Sequence, residues 1–323
     1  LFEPRNEHLL RGGYSFALLF ENSFMSDTSW LTEFPDMSRR DLLAIRQTLD
    51  GAYRSFSRAY GESIENFFNP LLHFLIWFEN LLIQTPWWIV LAIIIGLVYA
   101  ATRSWKLCAG VLVSFLAIGY FGMWEDTMRT LSIITVCTIL SICIGIPIGI
   151  LMARSDRAKS IITPLLDIMQ TMPAFVYLIP VVMLLGIGRI PGVIAVVIYA
   201  IPPVIRLTNL GIRLVNRETL EAATAYGATP TQRLFGVQIP LAMPTIMAGI
   251  NQTIMMALAM VVVASMIGVK GLGQPVLKSI TNQYFTLGLL NGLAIVALAI
   301  IFDRVSQSYA KRAQKHLEGS ENG

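Results

Sequence analysis

The sequence predicts an all-α, polytopic membrane protein. Of its 323 residues, 55% are hydrophobic and 14% charged, against about 25% charged in a typical soluble domain. The deficit is concentrated in apolar runs of about 20 residues, long enough to cross a hydrocarbon core of about 30 Å as helices. Lys and Arg cluster in alternate short loops between these runs. The net charge of +4 is spread over such loops, which excludes a nucleic-acid-binding patch.

Residues 1–60 are polar and mixed, with Arg39, Arg40, Arg46, Arg54 and Arg58 among small and aromatic residues. They are expected to form an N-terminal extension outside the membrane core. Ser38, with Asp41 three residues later, loosely resembles a capping box. Over 61–85, Ile64, Phe67, Phe68, Leu71, Leu72, Leu75, Phe78 and Leu82 recur at helical spacing, interrupted by Glu62, Glu65, Asn69, His73 and Glu79. That pattern predicts an amphipathic helix lying in the membrane interface. An additional spanning helix is the alternative, and Pro70, His73 and Glu79 count against it.

After Pro86, seven spans are expected, at about 87–102, 106–122, 128–152, 161–186, 190–207, 245–268 and 285–302. Trp87 and Trp88 open the first, as interfacial aromatics do. Pro173 and Pro180 in the fourth, and Pro202 and Pro203 in the fifth, predict broken or kinked helices. Such breaks are tolerated where protein or water surrounds the freed carbonyls. Residues 306–323 read as a cytoplasmic tail, with Leu317–Gly323 expected to be an appended remnant. The start lacks the pattern of a signal peptide, and none is expected. Cys108, Cys137 and Cys143 lie in apolar segments without metal-ligand spacing to His8, His73 or His316. They read as buried or lipid-facing thiols, and no metal site is expected.

One set of loops carries Arg103 and Lys106; Arg154, Arg157 and Lys159; Arg206, Arg213, Arg217 and Arg233; and Arg304, Lys311, Arg312 and Lys315. The opposite loops carry Arg129, Arg189, Lys270 and Lys278. The positive-inside rule places the first set in the cytoplasm, the N-terminus outside and the C-terminus inside.

The longest loop on the basic side, 208–244, carries the functional argument. Arg217 to Tyr226 favours a helix, Gly227 is placed to end it, and Pro230 sits where a second short helix can start. A helix, a glycine turn and a short helix along the inner membrane surface suit a cleft on a partner protein. Glu221-Ala222-Ala223, Gly227 after three intervening residues, and Ile239-Pro240 a dozen further on resemble the Glu-Ala-Ala loop of bacterial ABC importer permeases. The segments Pro164 to Tyr177, Ile239 to Thr253, Ala264 to Gly268 and Gly271 to Gln274 resemble the permeases of glycine betaine/proline betaine importers. The likeness covers roughly 65–305.

That resemblance implies a type I ABC importer transmembrane domain over 86–305, in a bacterial inner membrane. It implies a permease homodimer, two ATPase subunits holding ATP and Mg, and an external solute-binding protein. The implied cargo is a quaternary or tertiary ammonium solute such as glycine betaine, proline betaine, choline, carnitine or trimethylamine oxide. Glu221, Ala222, Ala223, Gly227, Pro230, Arg233 and Pro240 become the coupling residues that dock on the ATPase.

Within the spans, Gln170, Thr171, Pro173, Tyr177, Asn251, Gln252 and Ser265 are candidates for the translocation path or its gate. Polar residues at such depths either face a water-filled route or bond between helices. Phe175 and Tyr177 are also candidates for an aromatic cage around a methylated cation, although the resemblance implies that cage on the binding protein. Asp167 is expected to pair with Arg154 or Lys159. The sequence has no phosphate-binding loop, zinc-binding His-Glu-x-x-His or nucleophile elbow, so no catalytic residue is expected. An ion-coupled secondary transporter of the same solutes is the alternative; it needs no docking loop and usually shows an internal repeat. A membrane-embedded enzyme lacks a reactive cluster, and a mechanosensitive channel lacks an identifiable pore helix.

Overall fold

The computed structural model describes residues 37–319. Expectations for residues 1–36 and 320–323 lie outside the described residues. The chain divides into two units, 1–59 and 60–323. In the first, Ser38 Oγ accepts from the Asp41 amide at 3.2 Å and donates to its carboxylate at 2.8 Å. This cap starts α1 (Arg39–Gln84), which runs without interruption through the expected boundary at residue 60. The amphipathic segment 61–85 is therefore the second half of a longer helix. A single glycine, Gly61, costs a helix only about 1 kcal/mol, too little to end one of this length.

The second unit is helical throughout apart from its turns, with no strand among the described residues. The chain turns by 110° between α1 and α2 (Trp87–Thr102). Arg103, in the left-handed conformation, closes α2, and α3 (Trp105–Tyr120) follows. Next come α4 (Trp124–Arg154), α5 (Asp156–Thr171), α6 (Ala174–Leu185), α7 (Arg189–Ala200) and α8 (Pro202–Arg213). The loop helix α9 (Arg217–Ala225) and α10 (Pro230–Arg233) lead through a π-helical turn, Leu234–Gln238, into α11 (Ile239–Ala264). Finally, α12 (Gly273–Asn282) precedes α13 (Phe285–Gly319).

Seven separate spans were expected; the helices distribute differently. Four runs are long and apolar enough to cross a membrane: Trp124–Arg154, Arg189–Arg213, Pro230–Ile267 and Phe285–Ala310. The expected fourth span, 161–186, is two helices bent by 100°. Pro173 cannot donate to the ladder and drives Met172 out of the α region, to φ −67°, ψ 132°. In the fifth, Pro202 and Pro203 open the first turn of α8, where proline is tolerated, so α7 and α8 form one run. The apolar helices α2 and α3 have 16 residues each, about 24 Å long and short of a full hydrocarbon thickness.

The core centres on α8, which packs against α4 on one side and α11 on the other. Glycines make the approach possible. A Cβ at Gly149 of α4 would stand 2.6 Å from Thr208 Cβ and 2.8 Å from the Ile205 carbonyl oxygen. One at Gly249 of α11 would stand 3.0 Å from Leu207 Cβ. Cys108 and Cys137 are buried and Cys143 is exposed, within the expected range of environments.

Candidate coupling and translocation sites

The expected loop 208–244 is shorter in the structure. Residues 208–213 complete α8, and the chain from Pro230 onward is helical into α11. The non-membrane excursion is thus Leu214–Thr229, and its second short helix is the first turn of a long span rather than a separate element. Continuity arises because Ile239-Pro240 falls just after the π turn, where a wide turn accommodates a residue without an N–H.

Within the excursion each turn has a local cause. The Asn216 side chain accepts from the Glu218 amide at 3.0 Å and starts α9. Gly227, at φ +80°, ends it: its amide donates to Thr224 O at 2.9 Å and the Ala228 amide to Ala223 O at 3.0 Å. This is a Schellman arrangement, which needs a left-handed residue at that position. Thr229 and Gln232 then form a reciprocal capping box, at 2.8 and 3.3 Å. The Thr229-Pro230-Thr231-Gln232 spacing carries that signal and the motif reading overlooked it. Arg233 Nη1 donates to Thr224 Oγ1 at 2.9 Å and ties the two arms together.

Glu221, Ala222 and Pro230 are exposed, Ala223, Arg233 and Pro240 half-buried. Tyr226, beside the glycine turn, is 94% exposed, a large aromatic surface that sequence matching passed over. Leu234, just beyond Arg233, is buried with Ile212, Ala242 and Ile246. The end of the loop is therefore packed against both α8 and α11. At the same end, Arg213 Nη2 donates to Met152 O at 2.7 Å and lies 2.7 Å from Asp156, joining α8 to the α4–α5 corner.

The candidate path residues do not form one cluster. Gln170, Thr171 and Pro173 are exposed around the break between α5 and α6. Tyr177 is buried, its hydroxyl donating to the Met169 carbonyl across that break, and its ring meets Tyr199 edge-on at 6.0 Å. It braces the bend, while the second cage candidate, Phe175, is 54% exposed. Asn251 Nδ2 donates to Asp303 Oδ1 at 2.8 Å, a bond between α11 and α13. Gln252 is exposed. Ser265 lines a cavity of about 640 Å³ with Asp126, Gln274 and Lys278.

Three ion pairs, centred on two carboxylates, were not anticipated. Asp167 pairs with Arg206 rather than with Arg154 or Lys159, because α5 turns that face toward α8. Arg206 itself lies inside the Arg189–Arg213 run rather than in a loop. Glu79, buried at 4% exposure, meets Arg189 at 2.9 Å and Arg129 at 3.5 Å.

The sequence profile of the binding-protein-dependent transport system inner membrane components matches residues 145–315. The glycine betaine/proline betaine transport system permease protein ProW of Escherichia coli K12 is 49% identical over 247 residues, 75% of this chain and 68% of that protein. The glycine betaine/carnitine transport permease protein GbuB of Listeria monocytogenes is 46% identical over 71% of this chain and 82% of its own length. Among solved structures, an inward-facing MetNI methionine ABC transporter matches with a TM-score of 0.53 at 20% identity, over 57% of this chain and 93% of the matched one. That likeness carries the type I importer fold. With more than half its length inside the family profile and a relative 46% identical over 82% of that relative's length, the chain belongs to the family of binding-protein-dependent transport system inner membrane components.

Proposed function

We propose that this chain is the permease that moves betaine-like ammonium solutes inward, driven by a separate ATP-binding-cassette ATPase and supplied by an extracytoplasmic solute-binding protein. The cargo class comes from its relatives, whose names state glycine betaine, proline betaine and carnitine; choline and trimethylamine oxide belong to the same chemical class. Hydrolysis belongs to the partner, which would hold ATP and Mg. One observation carries the reading. The loop from Arg217 to Arg233 is exposed, internally braced and continuous with the Pro230–Ile267 run. Such a loop is built to receive force at a protein surface and pass it to a span.

In this reading Glu221, Ala222, Ala223, Gly227, Pro230, Arg233 and Pro240 form or support the docking surface, with Tyr226 as an aromatic anchor. Two copies face each other, with the N-terminus outside and the C-terminus in the cytoplasm. Gln170, Thr171, Pro173, Gln252 and Ser265 line the route, while Tyr177 and Asn251 hold its walls. An ion-driven transporter is not favoured, since it has no use for the exposed loop.

The test is uptake of labelled glycine betaine, with competing solutes, in a bacterium lacking betaine transporters and expressing the permease with its ATPase and binding protein. Loss of uptake with an ATPase-dead partner supports the proposal. Uptake without any ATPase overturns it. An assembled complex that carries none of the solutes removes the cargo assignment.

A further inference from the structure

Asp167 and Arg206 are charged residues at a depth where charge is costly. Arg206 lies seven residues before Arg213, the inner end of its run, so about 10 Å into the span at 1.5 Å per residue. Asp167 reaches it from α5, whose Leu166 packs on Ile201, Val204 and Ile205 of the same run. Charged residues at such positions pair with one another and face the bundle interior or a water-filled cavity. Yet within the chain the Asp167 side chain is 56% exposed and that of Arg206 37%. Asp167 is the hydrogen-bonding partner of Arg206 among the described residues, and Arg206 Nε makes no hydrogen bond.

The surroundings point the same way. Asp167, Gln170 and Thr171 stand at i, i+3 and i+4 of α5 and share one face, and all three are exposed. The opposite face, with Ile162, Leu166 and Met169, is the packed one. The helix then breaks at Pro173, itself exposed. Irregular backbone at membrane depth is tolerated where it lines a water-filled cavity or is covered by protein. A strut between α5 and α8 alone gains nothing from standing open on that face.

We propose that the Asp167–Arg206 pair is a zwitterion-binding waypoint on the inner part of the translocation path. This rests on the cargo class assigned above. A betaine carries one carboxylate and one quaternary ammonium. The guanidinium fork of Arg206 matches the carboxylate. The methylated ammonium has no hydrogen to donate and is served by the bare charge of Asp167. Inserting a zwitterion between the two leaves the net charge of the site at zero, whereas a lone cation or anion leaves one protein charge uncompensated. The site is also self-closing: when the solute departs, the two residues pair again, which keeps binding weak and release easy.

The test uses the permease–ATPase complex in nanodiscs without the binding protein, with saturation-transfer NMR on the methyl signals of glycine betaine and, separately, of tetramethylammonium. The expected result is transfer to glycine betaine in the wild type, reduced at least fivefold in both Arg206→Gln and Asp167→Asn. Tetramethylammonium transfer should be weaker than that of glycine betaine in the wild type, rise in Arg206→Gln, where Asp167 is freed, and fall in Asp167→Asn. Equal signals in all three proteins, or an equal loss of both ligands in Arg206→Gln, overturn the site and leave the pair a strut. ATPase-driven uptake by the same proteins, reconstituted in sealed vesicles with the binding protein added, separates the two readings. Wild-type uptake of glycine betaine without any saturation transfer overturns the waypoint alone, and absent uptake by an assembled complex overturns the cargo assignment beneath it.

Discussion

The carboxylate of Glu79 stands 2.9 Å from Nη1 of Arg189, 110 positions along the chain, and holds α1 to the start of α7. The same carboxylate lies 3.5 Å from Arg129 Nε at the start of α4. One buried acid thus joins three helices at one end of the bundle. Removing one partner of a buried pair typically costs about 3 to 5 kcal/mol, because the remaining charges lose their compensation. Arg129 keeps Asp126, at 3.0 Å, so the lower figure applies. Glu79→Ala is expected to reduce the thermal stability of the detergent-solubilised protein by about 3 kcal/mol. Glu79→Gln should lose less, since its amide oxygen still accepts. A melting profile for Glu79→Ala that overlays the wild type removes the structural role given to the cluster.

A second prediction concerns the close approach of α4 and α8. A Cβ at Gly149 meets Thr208 Cβ at 2.6 Å and the Ile205 carbonyl at 2.8 Å. Neither can move without displacing α8, and overpacking of this kind costs about 1 to 3 kcal/mol. Gly149→Val is expected to lower the melting temperature and the yield of assembled complex. The comparison is Gly96→Ala in α2, where nothing lies within 4 Å of the added Cβ. There the gain in helix propensity, about 1 kcal/mol, should leave stability equal or higher. Equal effects of the two substitutions would contradict the packing described.

How much of this was legible in the sequence depended on distance along the chain. The Schellman turn at Gly227 and the helix start at Pro230 were legible because each is decided within about four residues. The break at Pro173 was legible as a kink, but not its 100° angle or the Tyr177 hydroxyl reaching back across it to Met169. The partners of Glu79, Asp167 and Asn251 lie 110, 39 and 52 positions away. Polarity marked these residues as unusual; only the packing of the helices decides whom they meet. The helical run through residue 60 was missed for the opposite reason: composition changes there, and a change of composition does not end a helix.

A third prediction concerns the loop. Gly227 sits at φ +80°, which costs a residue with a Cβ about 1 to 2 kcal/mol. The site is exposed and lies at the end of a short helix, so Gly227→Pro and Glu221→Lys should leave membrane insertion and expression intact. Both should abolish uptake while the ATPase hydrolyses without control by the loaded binding protein. Tyr226→Ala, removing a side chain 94% exposed, should leave the permease as stable as the wild type and reduce co-purification of the ATPase severalfold. Normal uptake by all three variants at normal expression would remove the coupling role of the loop.

The fourth prediction separates a wall from a route. Asn251 bonds Asp303 at 2.8 Å, and Gln252, next to it, is exposed. Polar bonds between membrane helices average about 0.6 kcal/mol and reach about 1.7. Asn251→Leu should therefore lower the melting temperature slightly, with uptake falling only in proportion to the amount of assembled complex. Gln252→Leu should do the reverse: unchanged stability, and uptake per complex reduced severalfold, because an apolar side chain replaces a polar one on the proposed route. If Asn251→Leu abolishes uptake in fully assembled, stable complexes, Asn251 belongs to the route itself. If Gln252→Leu transports normally, the route does not pass that face of α11.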